Sequence, residues 1–274
     1  MSEEQKQADI TKKKVVYKMP GMDAITVCAE EYRATESGFL TADIYYPPDW
    51  NSRAQVPAVI FVLGFSDVGF KAMLGCRMKD MASYISWGRL VAASGVAAIT
   101  YANREPPEDI QALIEHVRRN GVRLGIDGNR IGLWAFSGNV PMALSVLMQA
   151  GRKYLKCAVL CYGYTLDLDE FSGVAEAAKN WGFINACAGK SVDDLPPDLP
   201  LFIARAGRDQ FAGLNDAMDR FLAKALARNL PITCVNQPEA PHAFDLWDDS
   251  ETTLEIIRQM LAFMRFHLAE PAAE

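Results

Sequence analysis

The run from Arg130 to Met142 does most to limit what this chain can become. Ile131 to Phe136 is a short apolar run of strand length, Ser137 interrupts it among small residues, and Val140 to Met148 then has the length and composition of a helix. A strand that reverses sharply into a helix pushes its apex side chain above the sheet, where a reactant can reach it. The close approach of strand and helix calls for small residues two positions either side of the apex, and those positions hold Ala135 and Asn139. Alanine needs a modest adjustment. Asparagine tolerates positive φ better than most residues, yet it needs room that glycine does not. Pro141 falls in the first helical turn, where its missing N–H has no partner to lose.

The rest of the chain alternates in a way that suits such a turn. Ile25–Ala29 and Phe39–Tyr46 are β-favouring, and Pro47-Pro48 closes the second, so they predict the antiparallel edge of a sheet. Pro57–Leu63, Val96–Tyr101 and Cys157–Cys161 are continuous apolar runs of strands buried on both faces, and Leu201–Ala204 and Ile232–Val235 are further strands. Helices are predicted over Trp87–Ser94, with Gly95 as a stop, over Glu108–Asn120, over Leu214–Asn229 and over Ser250–His267. Ile110, Leu113, Ile114 and Val117 share one face of the second. Strand–helix alternation of this kind predicts an α/β chain, with a mostly parallel central sheet and helices on both faces.

Two segments do not fit the alternation. Asp67–Ser83 reads as a loop or short cap element beside the pocket, and Tyr162–Pro200 is far longer than the usual connection of about two to six residues. The second holds Phe171, Trp181 and Phe183 around a helix-like Val174–Asn180 stretch. At the carboxyl end of a sheet it reads as a cap insertion over about 162–199, the alternative being a surface excursion with its own small core. The expected organisation is a loose segment 1–20, one domain over 21–268, and a tail over 269–274. A single domain of this size buries about 75% of its unfolded surface and needs no staple.

Gly125-Ile126-Asp127 and Asn129-Arg130-Ile131-Gly132, running into the serine turn, resemble the α/β-hydrolase superfamily, and within it the dienelactone-hydrolase-like and small esterase branch. The resemblance extends over residues 40 to 268 as a succession of elements. It implies the α/β-hydrolase fold and a nucleophile, acid and histidine in that chain order. Ser137 ends one strand, Asp209 follows Leu201–Ala204, and His242 follows Ile232–Val235. Gly207-Arg208-Asp209 and His242-Ala243-Phe244 also resemble the superfamily's acid and histidine turns. His116 and His267 fall inside predicted helices, which leaves His242 as the histidine on a loop. The roles so implied are Ser137 as nucleophile, His242 as general base and then acid, and Asp209 holding the imidazole tautomer. For the oxyanion, the resemblance implies the N–H of Phe65, with Ser66 second, and the N–H of Gly138. The strand before Phe65 ends in Leu63-Gly64-Phe65-Ser66 in place of a His-Gly-Gly sequence.

Each residue also has a plainer reading. Ser137 and Asp209 are both suited to capping the helices that follow them, and His242 to a loop. Asp167 and Asp169 are rival acids, Glu239 and Asp245 stand too near His242 in sequence, and Arg104 and Arg208 are either substrate-carboxylate clamps or surface ion-pair partners.

The net charge of −6 argues against a nucleic-acid partner. No stretch has the length and apolarity of a membrane span, and none near Met1 reads as a signal segment, so the expected setting is the cytoplasm without membrane association. The six cysteines are scattered, without Cys-x-x-Cys spacing, and read as reduced thiols rather than a metal site. No cofactor is implied, and Gly64–Gly69 lacks the Gly-Lys-Ser/Thr of a phosphate loop. The expected activity is hydrolysis of a small carboxylic ester or lactone through an acyl-enzyme. An acyltransferase or peptidase using the same three residues, and a non-catalytic binding protein on the same fold, are the alternatives. A homodimer is left open. Haloalkane-type chemistry is excluded at the apex, which would need aspartate where Ser137 stands.

Overall fold

The structure, a computed structural model, describes residues 10–36, 38–51 and 55–269. Among them, eight strands form one sheet: β1 (Thr26–Thr35), β2 (Gly38–Tyr46), β3 (Val56–Phe61), β4 (Ala97–Tyr101), β5 (Ile126–Phe136), β6 (Leu155–Cys161), β7 (Leu201–Ala206) and β8 (Ile232–Gln237). Their order across the sheet is β1-β2-β4-β3-β5-β6-β7-β8. β1 pairs antiparallel with β2 and β2 with β4, and every later pairing is parallel. The expected antiparallel edge and parallel centre are therefore both present.

Position in the sheet explains composition. Ala58 to Phe61 of β3 and all of β4 are buried, because helices cover both faces, and these runs carry no polar alternation. β8 lies at the edge, where Thr233 and Cys234 are exposed. The helices are α1 (Asp67–Leu74), α2 (Ala82–Ala93), α3 (Pro106–Leu124), α4 (Val140–Leu147), α5 (Gly173–Trp181), α6 (Leu214–Ala227), α7 (Phe244–Trp247) and α8 (Glu251–Leu268). Ser250 starts α8, its hydroxyl accepting the Thr253 N–H. One face of α8 then sets Met260 and Met264 against Cys161 and Cys157 of β6, at 3.5 Å in each case. Those two cysteines do share a side of their strand, and burial pushes both thiols up. Cys28 and Cys234, by contrast, are exposed on the two outermost strands.

Asp67–Ser83 is more regular than a loop, with α1 capped by the Ser66 hydroxyl and followed by a 3-10 turn over Met78–Asp80. A short helix, α7, follows His242, and its four residues are too few to carry a readable periodicity. The chain from Ile10 to Val16 is held in place and is not loose. The Val15 N–H donates to Ser86 Oγ at 3.0 Å, the Val16 N–H to the Asp245 carbonyl at 2.8 Å, and the Ala82 N–H to the Thr11 carbonyl at 2.9 Å. Of the proposed loose segment 1–20 and tail 269–274, residues 1–9 and 270–274 lie outside the described residues. Among the described residues, no helix is long and apolar enough to cross a membrane.

The connection leaving β3 runs to β4 on one side, and that leaving β5 runs to β6 on the other. The crevice between the carboxyl ends of β3 and β5 is thus the switch point, where open α/β sheets bind ligands. Gly64–Ser66 follows β3 there and Ser137 follows β5.

Candidate active site

Ser137 stands directly after β5 with φ of 55°, a left-handed conformation that a non-glycine residue adopts only when its surroundings hold it. Asn139, in contrast, is right-handed helical, so the tolerance for positive φ foreseen for asparagine is not what it supplies. Its buried side chain is a brace. The carboxamide oxygen accepts the Gly64 N–H at 2.7 Å, and the amide nitrogen donates to the Tyr84 hydroxyl at 3.1 Å. Gly64 can come this close because it has no Cβ. One built there would meet the Gly138 carbonyl at 2.9 Å and the Asn139 Cα at 3.2 Å. Ala135 is fully buried in β5.

The structure brings Ser137, His242 and Asp209 together. The Ser137 hydroxyl lies 2.9 Å from His242 Nε2, and His242 Nδ1 lies 2.6 Å from Asp209 Oδ2. The second carboxylate oxygen of Asp209 accepts the Phe211 N–H at 3.0 Å, and the Asp209 side chain is wholly buried. Ser137 makes no capping bond to the turn or the helix that follows it. These three strand ends are not all neighbours: β6 lies between β5 and β7. Gly163, just beyond β6, lets the turn that carries Ser137 pack closely over the end of that strand. A Cβ there would drive into Val140 and come within 2.9 Å of the Ser137 carbonyl.

The histidine and acid loops are stitched to each other. The Arg208 N–H donates to the Ala240 carbonyl at 2.9 Å, and the His242 N–H to Gln210 Oε1 at 3.2 Å. Aromatic edges hold the imidazole from two sides, Tyr162 at 4.9 Å and Phe211 at 4.5 Å between ring centres.

The other acids singled out in sequence lie elsewhere. Asp167 accepts the Val174 and Ala175 N–H groups at the start of α5, Asp169 pairs with Lys224 at 2.7 Å, and Glu239 pairs with Arg208 at the surface. Asp245 is buried in the cavity wall, accepting Tyr162 OH at 2.5 Å on one oxygen and Trp87 Nε1–H at 2.6 Å on the other. Burial pushes its carboxyl above the usual range, and the two donors offset only part of that. Burial also pushes the Tyr162 phenol well up.

Ser137 and His242 open onto a cavity of about 250 Å3. Phe65 and Gly138 line it beside Ser137, whereas Ser66 turns its hydroxyl to cap α1. Met78, Met81, Tyr84 and Trp87 line it, as do Trp181 and Phe183 of the insertion. Among the described residues that line it there is no Lys or Arg. Asn103 was invisible as a site residue in the sequence, where it begins an ordinary turn. It fixes the loop after β3: its Oδ1 accepts the Asp67 N–H at 2.9 Å and its Nδ2 donates to the Phe65 carbonyl at 3.0 Å. Among the described residues, no three His, Cys, Asp or Glu side chains gather to hold a metal ion.

No protein-family model and no curated protein matches this chain. Solved structures do. A thermostable esterase from Pseudomonas putida superposes with a TM-score of 0.70 at 17% identity, covering 97% of this chain and 88% of that one. Esterase 2 from Thermogutta terrifontis gives 0.66 at 16% identity, covering 93% and 97%. The same esterase phosphoramylated by tabun gives 0.63 at 16% identity, covering 92% and 98%. With its sheet order and these likenesses, the chain has the α/β-hydrolase fold.

Proposed function

We propose that this protein is a serine hydrolase that cleaves small, uncharged carboxylic esters through an acyl-enzyme. The observation that carries the reading is the relay Ser137 Oγ to His242 Nε2 at 2.9 Å and His242 Nδ1 to Asp209 at 2.6 Å, opening onto an apolar cavity. Ser137 Oγ attacks the ester carbonyl carbon while His242 Nε2 takes its proton, and Asp209 holds the imidazole with its second nitrogen protonated. The carbonyl oxygen gains charge, which the N–H groups of Phe65 and Gly138 stabilise. The C–O bond then breaks, His242 returns the proton to the leaving alcohol, and water repeats the sequence on the acyl-enzyme. No cofactor enters these steps.

The cavity narrows the substrate. At about 250 Å3 it lies below the usual range of ligand pockets, about 300–1,000 Å3, which suits a short aliphatic group or a single aromatic ring. Dienelactone-like substrates bear a carboxylate, and the arginines considered for it are placed elsewhere: Arg208 pairs with Glu239 at the surface, and Arg104 lines a separate surface depression. A neutral ester therefore fits better than a lactone acid. The esterase names of the structural neighbours point the same way.

Labelling with a serine-directed fluorophosphonate, read by intact mass and peptide mapping, tests the reading on the wild type beside Ser137→Ala and His242→Ala. One probe per chain at Ser137, absent in both variants, is the expected result. A folded wild type that takes no label overturns it and leaves a non-catalytic binding protein. A panel of p-nitrophenyl esters then separates acetate to butyrate, which should turn over, from hemisuccinate, which should not.

A further inference from the structure

The loop that carries Phe65 is set from the cap insertion. The Gly64 carbonyl accepts the Ile184 N–H at 2.9 Å, and Ile184 belongs to the segment that returns from α5. In a planar trans peptide the carbonyl and the following N–H point in opposite directions, and no cis peptide occurs among the described residues. Holding the Gly64 carbonyl toward the cap therefore sets the direction of the Phe65 N–H. The neighbouring peptides are pinned as well, the Gly64 N–H by Asn139 and the Phe65 carbonyl by Asn103. Those two pins come from the main domain, and only the middle one comes from the cap.

Side chains reinforce the same joint. The Phe183 ring meets Phe65 edge-on at 5.8 Å and stacks on Tyr164 at 5.5 Å. Asp167 then ties the cap into one unit. Its carboxylate accepts the Val174 N–H at 2.8 Å and the Ala175 N–H at 3.0 Å at the start of α5, and Asn185 Nδ2 at 3.3 Å on the returning segment. Asn185 is the next residue after Ile184.

We propose that the cap positions the oxyanion donor: the Ile184 N–H holds the Gly64–Phe65 peptide in its donating orientation, and Asp167 is the positioning residue that keeps Ile184 in register. Seating the cap and forming the oxyanion hole are then one event. This inference rests on the ester-hydrolase reading and adds to it a control point outside the three reacting residues.

The test replaces Ile184 by its α-hydroxy acid, which exchanges that single N–H for oxygen, and in parallel makes Asp167→Ala and Asp167→Asn. For the hydroxy-acid chain, kcat on a p-nitrophenyl ester should fall on the order of a hundredfold, as when one oxyanion donor is lost, with KM changing less than about threefold. Asp167→Ala should follow with a loss of about tenfold in kcat, and Asp167→Asn, which keeps one acceptor, should lie between it and wild type. A trifluoromethyl ketone, whose adduct on Ser137 bears the oxyanion, should bind these variants more weakly by the same factor. A ground-state ketone of the same shape should bind unchanged, which general damage to the fold would not produce. Unchanged kcat in folded Asp167→Ala and in the hydroxy-acid chain overturns the proposal while wild-type turnover stands. A wild type that neither labels at Ser137 nor turns over ester removes the hydrolase reading, and this proposal with it.

Discussion

The Asn139 carboxamide oxygen accepts the Gly64 N–H at 2.7 Å, joining the turn that carries Ser137 to the loop that carries Phe65. The two segments come from different strands, β5 and β3, and no covalent path keeps them in register. A residue larger than the small one that this position calls for thus contributes a bond that glycine could not make. Because Asn139 also donates to Tyr84, its side chain is satisfied at both ends in a buried setting.

Replacing that brace should cost activity and stability together. Asn139→Gly supplies the smallest residue at that position of the turn, yet it leaves the Gly64 N–H without its acceptor. The variant is expected to lose about 1–3 kcal/mol of stability, the range for stranding a buried donor. Its kcat should fall about tenfold or more as the loop after β3 loosens. Urea unfolding and steady-state kinetics on one ester check both, and a Gly variant as active as wild type would show that the brace is dispensable.

Asp209→Asn probes the tautomer. The asparagine keeps the shape of the buried side chain but turns a donor or a weaker acceptor toward His242 Nδ1, so the imidazole is no longer held with that nitrogen protonated. In a relay of this kind the loss in kcat is about ten-thousandfold with the fold intact. Kinetics beside a thermal melt measure it. A loss under about tenfold would mean that another acid serves His242, and Asp245 is the nearest candidate by its place in the cavity wall.

What the sequence disclosed depended on how locally each feature is encoded. The buried strands were legible because β3 and β4 are covered on both faces and leave no polar alternation. Ser137, Asp209 and His242 could be named because each follows a strand and the turns around them carry a resemblance, although β6 stands between β5 and β7. The supports were not legible. Asn103 and Asp245 act through partners 36 to 158 positions away, and no local pattern marks such pairs. Asp167 looked like a rival acid because it follows β6, and its bonds to the Val174 and Ala175 N–H groups and to Asn185 span 7 to 18 positions that no local pattern marks. The packing of Ile10–Val16 was missed for the same reason: its partners, Ser86 and Asp245, lie far along the chain.

Filling the cavity should sort substrates by size. Met81 lines it with Tyr84 and Trp87, and Met81→Trp places a larger ring where a substrate group would sit. Turnover of the butyrate or benzoate ester should fall about tenfold or more relative to acetate, mainly through KM, while fluorophosphonate labelling of Ser137 persists. Measured kcat/KM across the chain-length series checks this. An unchanged preference would place the substrate group on the other side of Ser137, toward Trp181 and Phe211.

Asp245 gives stability a pH dependence of definite sign. Its carboxyl is fully buried, and burial raises its pKa above the value it has in the unfolded chain. The folded state then binds this proton more tightly than the unfolded state. The resulting contribution is complete below the unfolded carboxyl pKa, about 4, and is lost as pH rises through the raised folded value. Asp245→Asn has no proton to lose, and the mutant carboxamide can still accept the Trp87 N–H while its amide donates to the Tyr162 oxygen. The melting temperature of the variant minus that of wild type should therefore rise between about pH 4 and pH 7, by about 2 °C for each kcal/mol of difference in a domain of this size. Melts of both proteins across that window decide it. A difference that stays flat would mean that the carboxyl is as acidic in the fold as in the open chain, its two donors and the nearby imidazole outweighing burial.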